Sequence, residues 1–445
     1  MSSIAVVVLA AGAGTRMKST KPKVMHELGG RPMICHLLAS VGELSPEKVV
    51  VVTAPKMESV QRAVAPAEIA IQQEALGTGH AVAAALPALR GFAGDVLILY
   101  GDTPLIETAT LRRMIEKRRA SETCAAVVLG FEPDDPAEYG RLVTDAAGNL
   151  TEIVEFADAT PEQKAIGLCN SGVMAISGGH LESLISAIDN RNAKGEYYLT
   201  DLVGLAIGRG LTCAFVRGAE TELLGVNNRA QLAEAEKIAQ MRWRASAMRD
   251  GATLIDPEQV WFSHDTKLGR DVVIEPGVFF GPGVRIGDNV RIKAFSHIEG
   301  ATIGDAAQIG PFARLRPGAD IAGEVKIGNF VEIKKSRLEQ GAKVSHLSYI
   351  GDARVGAEAN IGAGTITCNY DGYDKFVTDI GAGAFVGSNT ALVAPVKIGD
   401  GAIIGAGSTI TKDVAADALA IERAPEAQKP GWAARFRALK QKVVK

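Results

Sequence analysis

The sequence predicts an α/β chain in two parts: a Rossmann-like domain with a mostly parallel sheet, then, beyond a linking helix, a parallel β-helix of hexapeptide repeats. Three observations carry that expectation. Between residue 4 and about residue 226, short apolar runs alternate with segments of helical spacing. Residues 228–251 hold no Gly or Pro before Gly251. After residue 252, one aliphatic residue recurs every six positions.

In the first part (1–227), "IAVVVLAA", "KVVVVTA", "DVLILYGD" and "CAAVVLGF" are apolar enough to be buried on both faces. "TGHAVAAALPAL" and "ATLRRMIEKRRA" between them have helical spacing, and this alternation implies a parallel sheet covered by helices on both sides. The run 228–251, rich in Ala, Glu, Arg and Met, reads as a helix with a glycine stop, placed as a rigid linker. In the second part (252–445), Leu268, Ile274, Phe280, Ile286, Ile292 and Ile298 follow at intervals of six. Ile303, Ile309 and Leu315 continue, and Ile327, Ile333 and Leu338 come after a longer gap. Ile350, Val355 and Ile361 precede an interruption, "CNYDGYDKFVTD", after which the beat resumes at Ile380. A coil of three short strands, with one aliphatic residue per side pointing inward, makes this six-residue period; helices and simple strand alternation do not.

The 445 residues exceed what one core usually serves. A formal net charge of −3, from 48 Lys+Arg against 51 Asp+Glu, gives no reason to expect a nucleic-acid or membrane-surface partner. The five cysteines form no C-x-x-C pair, which suits reduced thiols better than disulfides or a zinc site. "MSSIAVVVLAAGAG" reads as a buried strand, without the basic region and cleavage site of a signal peptide, and no run approaches the ~20 apolar residues that span a bilayer. A cytoplasmic protein is expected.

The first strand runs directly into "GAGTRMKSTKPK". Gly12 and Gly14 let main-chain N–H groups approach phosphates, and Arg16 and Lys23 supply cations. Asp102 follows the buried run "DVLILYG", at the sheet edge where open α/β folds collect ligands. Such a carboxylate either caps a turn or suits Mg²⁺, which takes one or two protein oxygens beside substrate phosphates. His26, His36 and His80 have no ligand-like neighbour in sequence and read as structural. Cys35, Cys124 and Cys169 read as core, and "RRMIEKRRA" as a solvated helix face.

The loop resembles the signature of sugar-1-phosphate nucleotidyltransferases. "QQEALGTGHA", "LYGDTPL", "EYGRLV", "IVEFADA", "CNSGVM" and "GVNNRAQL" follow in that family's order. The resemblance implies attack of a sugar phosphate on the α-phosphorus of a nucleoside triphosphate, with Arg16 and Lys23 in the reaction and Mg²⁺ on Asp102 and Asn227. It assigns nucleotide contacts to Leu9, Ala10, Ala11, Gly12, Gln72, Gly77 and Thr78, and sugar contacts to Tyr100, Gly101, Gly140, Glu155 and Asn170. Thr20 and Lys21 stand before Pro22, where many relatives carry an apolar residue.

The second half resembles left-handed parallel β-helix acyltransferases, which implies a homotrimer with acyl-CoA bound between neighbouring copies. The interruption at 368–379 is then either a loop thrown out to help build a site or an inert insertion. His346, near Lys334, Tyr349 and Asn360 in sequence, is either a general base or structural. Taken whole, the chain resembles the bacterial bifunctional N-acetylglucosamine-1-phosphate uridyltransferase/glucosamine-1-phosphate acetyltransferase family. That resemblance makes His346 the base for acetylation. It gives the sugar phosphate to Arg316, Lys334, Tyr349, Asn360 and Lys375, and acetyl-CoA to Ala363, Asn369, Tyr370, Ser388, Ala406 and Arg423. A main-chain N–H near Ala363, or the Ser388 hydroxyl, is expected to meet the developing oxyanion. The implied substrates are UTP, glucosamine-1-phosphate, N-acetylglucosamine-1-phosphate and acetyl-CoA, in precursor synthesis for peptidoglycan and lipopolysaccharide. The rivals are a nucleotidyltransferase with a non-catalytic hexapeptide domain and a catalytically silent scaffold. The basic tail after residue 428 packs on a trimer, meets CoA phosphates or is solvated.

Overall fold

The structure, a computed structural model, describes residues 3–12, 14–136 and 138–443. Ala13 of the glycine loop and the last two residues of the tail lie outside that range. The chain divides into two compact units, Met1–Trp243 and Arg244–Lys445.

The first unit is built on a nine-stranded sheet: β1 (Ile4–Leu9), β2 (Lys48–Thr53), β3 (Glu68–Ile71), β4 (Asp95–Tyr100), β5 (Cys124–Phe131), β6 (Arg141–Thr144), β7 (Leu150–Val154), β8 (Cys169–Ser177) and β9 (Thr212–Arg217). The order is β9-β5-β8-β4-β1-β2-β3, with β6 and β7 forming a hairpin beside β8. Strands β1 to β4 run parallel, while β8 is antiparallel to both its main neighbours. Side chains that alternate along β1 explain its unbroken apolar run. Ala5 and Val7 enter the core on one face of the sheet, Val6 and Val8 the core on the other. Each side chain of this size contributes roughly 1.5–3 kcal/mol by full burial.

Within the expected span 228–251 a helix runs over Arg229–Arg249. Its residues up to Trp243 are part of the first unit, with Ala235 and Ala239 packed against Leu28, Met33 and Leu105. Arg242 donates to the Leu105 carbonyl at 2.7 Å. The run "RRMIEKRRA" is also more than a solvated face, because Arg118 and Arg119 both pair with the fully buried Asp95.

In the second unit the six-residue beat becomes three parallel ladders of ten, eight and seven short strands, a left-handed β-helix with one ladder per side. The inward residues are almost completely buried. The gap after Leu315 is filled by Ile321 and the one after Leu338 by Val344, both buried at inward places, so the beat runs through. Glycine follows the inward residue where coils stack closely. A Cβ on Gly328 would lie 1.9 Å from the Ser345 carbonyl oxygen, and one on Gly362 2.6 Å from the Ser388 nitrogen. After Thr367, which fills an inward place and exchanges hydrogen bonds with Gly351, the chain leaves the coil and returns at Thr378–Ile380. Among the described residues no helix is long and apolar enough to cross a membrane.

Candidate functional site

In the first unit, β1 and β4 are neighbours, with Leu9 opposite Tyr100 at their carboxyl ends. Strands β2 and β3 lie to one side and β8 to the other, so the strand order reverses here, where open α/β sheets form a ligand crevice. A cavity of about 630 Å³ opens at this edge. Its lining includes Leu9, Ala10, Ala11 and Gly12 after β1, Gln72, Gly77 and Thr78, and Lys23, Tyr100 and Asp102. The Gly101 N–H donates to the Leu9 carbonyl at 2.9 Å.

Four side chains far apart in sequence converge. Lys23 Nζ donates to Asp102 Oδ2 and, at 3.0 Å, to Asn227 Oδ1. Arg16 donates to the same Asn227 oxygen at 3.1 Å. Asn227 is brought in by backbone: the Val226 N–H donates to the Asp102 carbonyl at 2.9 Å, and Asn227 N–H to Gln231. Gly14, at φ 63°, explains how Lys23 gets there, because a Cβ on it would stand 2.6 Å from Lys23 Cβ. Asp102 and Asn227 thus each turn an oxygen to the same Lys23 ammonium, one carboxylate and one amide, a donor set that suits Mg²⁺. Among the described residues no cluster of three His, Cys, Asp or Glu is placed to hold a metal ion.

Gly140, Glu155 and Asn170 also come together. The Asn170 N–H donates to the Gly140 carbonyl at 2.8 Å, and a Cβ on Gly140 would lie 3.7 Å from a Glu155 carboxylate oxygen. Burial holds the Glu155 carboxyl above the ordinary carboxylate range, and Thr200, which the sequence reading missed, donates to it at 3.1 Å. Burial likewise pushes the Tyr100 hydroxyl up, so it stays a neutral donor. Gln72 donates to the Gly77 carbonyl at 3.1 Å and pairs with His80 at 3.2 Å. His80 is therefore not isolated; it orients the glutamine. His36 is bound to the Leu28 carbonyl and His26 to Arg229.

In the second unit the predicted residues fall on two edges of the coil. The registers Val344 with Ile361, Ile361 with Val386 and Val386 with Ile404 put His346, Ala363, Ser388 and Ala406 in one column, two places after each inward residue. Asn329, opposite His346, belongs to it and was not foreseen. Its Oδ1 lies 2.7 Å from His346 Nδ1. Arg423 donates to the Ala406 carbonyl at 2.9 Å. Asn360 lies on the strand that leads into this edge.

Arg316 and Lys334 stand on the next edge, one place after inward Leu315 and Ile333. Arg316 is bound to Glu332 at 2.8 Å, and Tyr349 pairs with Glu332 along the ladder. Lys334 Nζ lies 3.3 Å from Asp352 Oδ2, which also accepts from Asn369 Nδ2. Asp352, also missed, joins a predicted sugar-phosphate group to a predicted CoA group. Tyr370 and Lys375 oppose each other across a small hairpin whose turn is closed by Asp371. Among the described residues no hydrogen bond joins His346 to Arg316, Lys334 or Tyr349. At about 3.3 Å per residue, one side of the coil separates the two edges by on the order of 15 Å.

Fold and sites together define a bifunctional transferase, with a nucleotidyltransferase unit followed by a hexapeptide acyltransferase unit. Residues 6–159 match the MobA-like NTP transferase domain, and residues 265–300 and 378–412 the bacterial transferase hexapeptide family. The chain is 62% identical to the bifunctional protein GlmU of Paramagnetospirillum magneticum over 437 residues, 98% of this chain and 97% of the relative. It is 64% identical to that of Rhodospirillum rubrum over 438 residues, 98% of each chain. To that of Zymomonas mobilis it is 52% identical over 440 residues, again 98% of each. The chain belongs to the bifunctional GlmU family, and its two units carry uridylyl transfer and acetyl transfer.

Proposed function

We propose that the second unit acetylates glucosamine-1-phosphate with acetyl-CoA, and that the first transfers UMP from UTP to the product, giving UDP-N-acetylglucosamine and pyrophosphate. The observation that carries the reading is the convergence of Lys23, with Asp102 and Asn227, and of Arg16, with Asn227, beside the cavity of about 630 Å³. In the first site the sugar-phosphate oxygen attacks the α-phosphorus and the pyrophosphate oxygen leaves. No protein group bonds to phosphorus. Lys23 and Arg16 position the phosphates and neutralise their charge. Leu9 to Gly12, Gln72, Gly77 and Thr78 hold the nucleotide; Tyr100, Gly101, Gly140, Glu155 and Asn170 hold the sugar. Asp102 and Asn227 would hold Mg²⁺, which supplies further charge neutralisation.

In the second site His346 takes a proton from the attacking amine as it adds to the thioester carbonyl; the C–S bond then breaks and the proton passes to the departing sulfur, so that CoA leaves as the thiol. The Ser388 hydroxyl or the N–H near Ala363, in the same column as His346, meets the oxyanion. Ala406, Arg423, Asn369 and Tyr370 hold CoA; Arg316, Lys334, Tyr349, Asn360 and Lys375 hold the sugar phosphate. With those groups on two edges of one coil, a complete site needs a second copy, which supports a homotrimer; its place of work is the cytoplasm. Chelation tests the division of labour: EDTA should stop pyrophosphate release while CoA release continues. Loss of both, or of neither, would overturn it. Sedimentation should give three chains per particle.

A further inference from the structure

We infer that Asn329 is a positioning residue for acetyl transfer, its side-chain carbonyl holding His346 in the tautomer whose Nε2 is free to accept a proton. The inference rests on the reading of His346 as the base. Asn329 Oδ1 and His346 Nδ1 are 2.7 Å apart. An amide oxygen only accepts, so Nδ1 must carry the hydrogen and Nε2 the lone pair. An asparagine turned the other way would donate to Nδ1, put the proton on Nε2 and silence the base.

The backbone fixes both partners. Asn329 and His346 are directly opposed in the strand register, and Gly328 allows its coil to press on Ser345. The His346 carbonyl accepts from Ser348 Oγ at 2.8 Å and from the Gly364 N–H at 3.3 Å. The ring is thus held at its root by backbone contacts and at Nδ1 by Asn329, although the side chain is exposed. Exposure makes the contact necessary. An imidazole open to water would otherwise sample both tautomers and several rotamers, and only one combination presents a basic nitrogen to the amine.

The test uses the full-length protein with ring-¹⁵N-labelled histidine, the His346 signals being assigned by their loss in His346→Ala. In the wild type, Nδ1 should show the shift of a protonated nitrogen and Nε2 that of an unprotonated one. Asn329→Leu should mix the two and lower kcat for acetyl transfer roughly 10- to 100-fold, the range met when the partner that orients a metal-bound histidine is lost. KM should stay within twofold and uridylyl transfer should be unchanged. Asn329→Asp, which keeps an acceptor oxygen, should retain most of the rate. A wild-type Nδ1 without a proton, or an Asn329→Leu variant with normal kcat, would overturn the inference. If Asn329→Leu does not fold, the wild-type shifts alone decide. Acetyl transfer that survives in His346→Ala would remove the base reading itself, a result distinct from either failure at Asn329.

Discussion

Replacing Lys23 by alanine probes the phosphate-handling cluster. Its ammonium is shared between Asp102 and Asn227, and the Lys23 and Asp102 side chains are only 14% and 18% exposed. At about 3 Å and an effective dielectric constant of about 20, such a charge pair attracts by about 5 kcal/mol before desolvation is counted. Desolvation leaves a charged hydrogen bond with a net worth of about 1.5–3 kcal/mol. Two consequences oppose each other. The freed oxygens become more available to Mg²⁺, so the variant should need less metal for half-maximal activity. The reacting phosphate loses a positioned cation, which costs about 10²–10³ in kcat, or about 2.7–4 kcal/mol of barrier. The second effect governs the rate, because tighter metal binding does not replace the ammonium. The assay is pyrophosphate release from UTP and N-acetylglucosamine-1-phosphate across a Mg²⁺ titration, with CoA release as the control. Lys23→Ala retaining kcat within threefold at any Mg²⁺ concentration would refute the reasoning.

Gly14→Ala should lose uridylyl transfer and keep acetyl transfer, since the added methyl meets Lys23 Cβ at a left-handed backbone position; normal pyrophosphate release would contradict this. Asp352→Asn removes the charge that holds Lys334 and also faces Asn369. It should raise KM for both glucosamine-1-phosphate and acetyl-CoA at least about fivefold, at a cost of about 1 kcal/mol or more, whereas a change for one substrate alone would show that the residue does not couple them. Asp201, pushed up to about 6 by burial first and then by Asp189, Glu155, Asp158 and Glu152, is a stability probe. Its folded pKa lies above the unfolded value, so ionisation costs stability that is intact below about pH 4 and lost as pH rises through 6. The full shift corresponds to about 3 kcal/mol, reduced to about 1 because the carboxyl is partly open to water. Asp201→Asn should therefore raise the Tm of uridylyl-transfer loss at pH 7.5 and leave it unchanged at pH 4; a lower Tm at pH 7.5 would reverse the sign.

What was legible in the sequence was short-range or strictly periodic. The buried strand and its glycine loop lie within some twenty residues, and the coil repeats one inward aliphatic per side. Ile321 and Val344 were passed over although each stands six places after its neighbour, Leu315 and Leu338, so the spacing alone marks them. The Asp102–Asn227 pairing was reachable only through family resemblance, since no local spacing announces it. Asn329 and Asp352 were missed for a related reason. Stacked neighbours in the coil are 17 or 18 residues apart in these hydrogen bonds, and across the inserted loop the Arg354–Asp379 contact spans 25. A reading along the chain sees each polar residue singly; only the register puts Asn329 under His346 and Asp352 between Lys334 and Asn369. The paired edges of the coil, with His346, the proposed base, on one and Arg316 and Lys334, the proposed phosphate-binding cations, on the other, follow from that register too.

The most direct test of two independent sites in one chain is CoA release from acetyl-CoA and glucosamine-1-phosphate by wild type and His346→Ala, with pyrophosphate release followed in the same preparations. The structure predicts that wild type releases both products and that the variant loses CoA release while pyrophosphate release is unchanged. A wild type that releases no CoA, or a variant that loses both activities together while remaining folded, would contradict it.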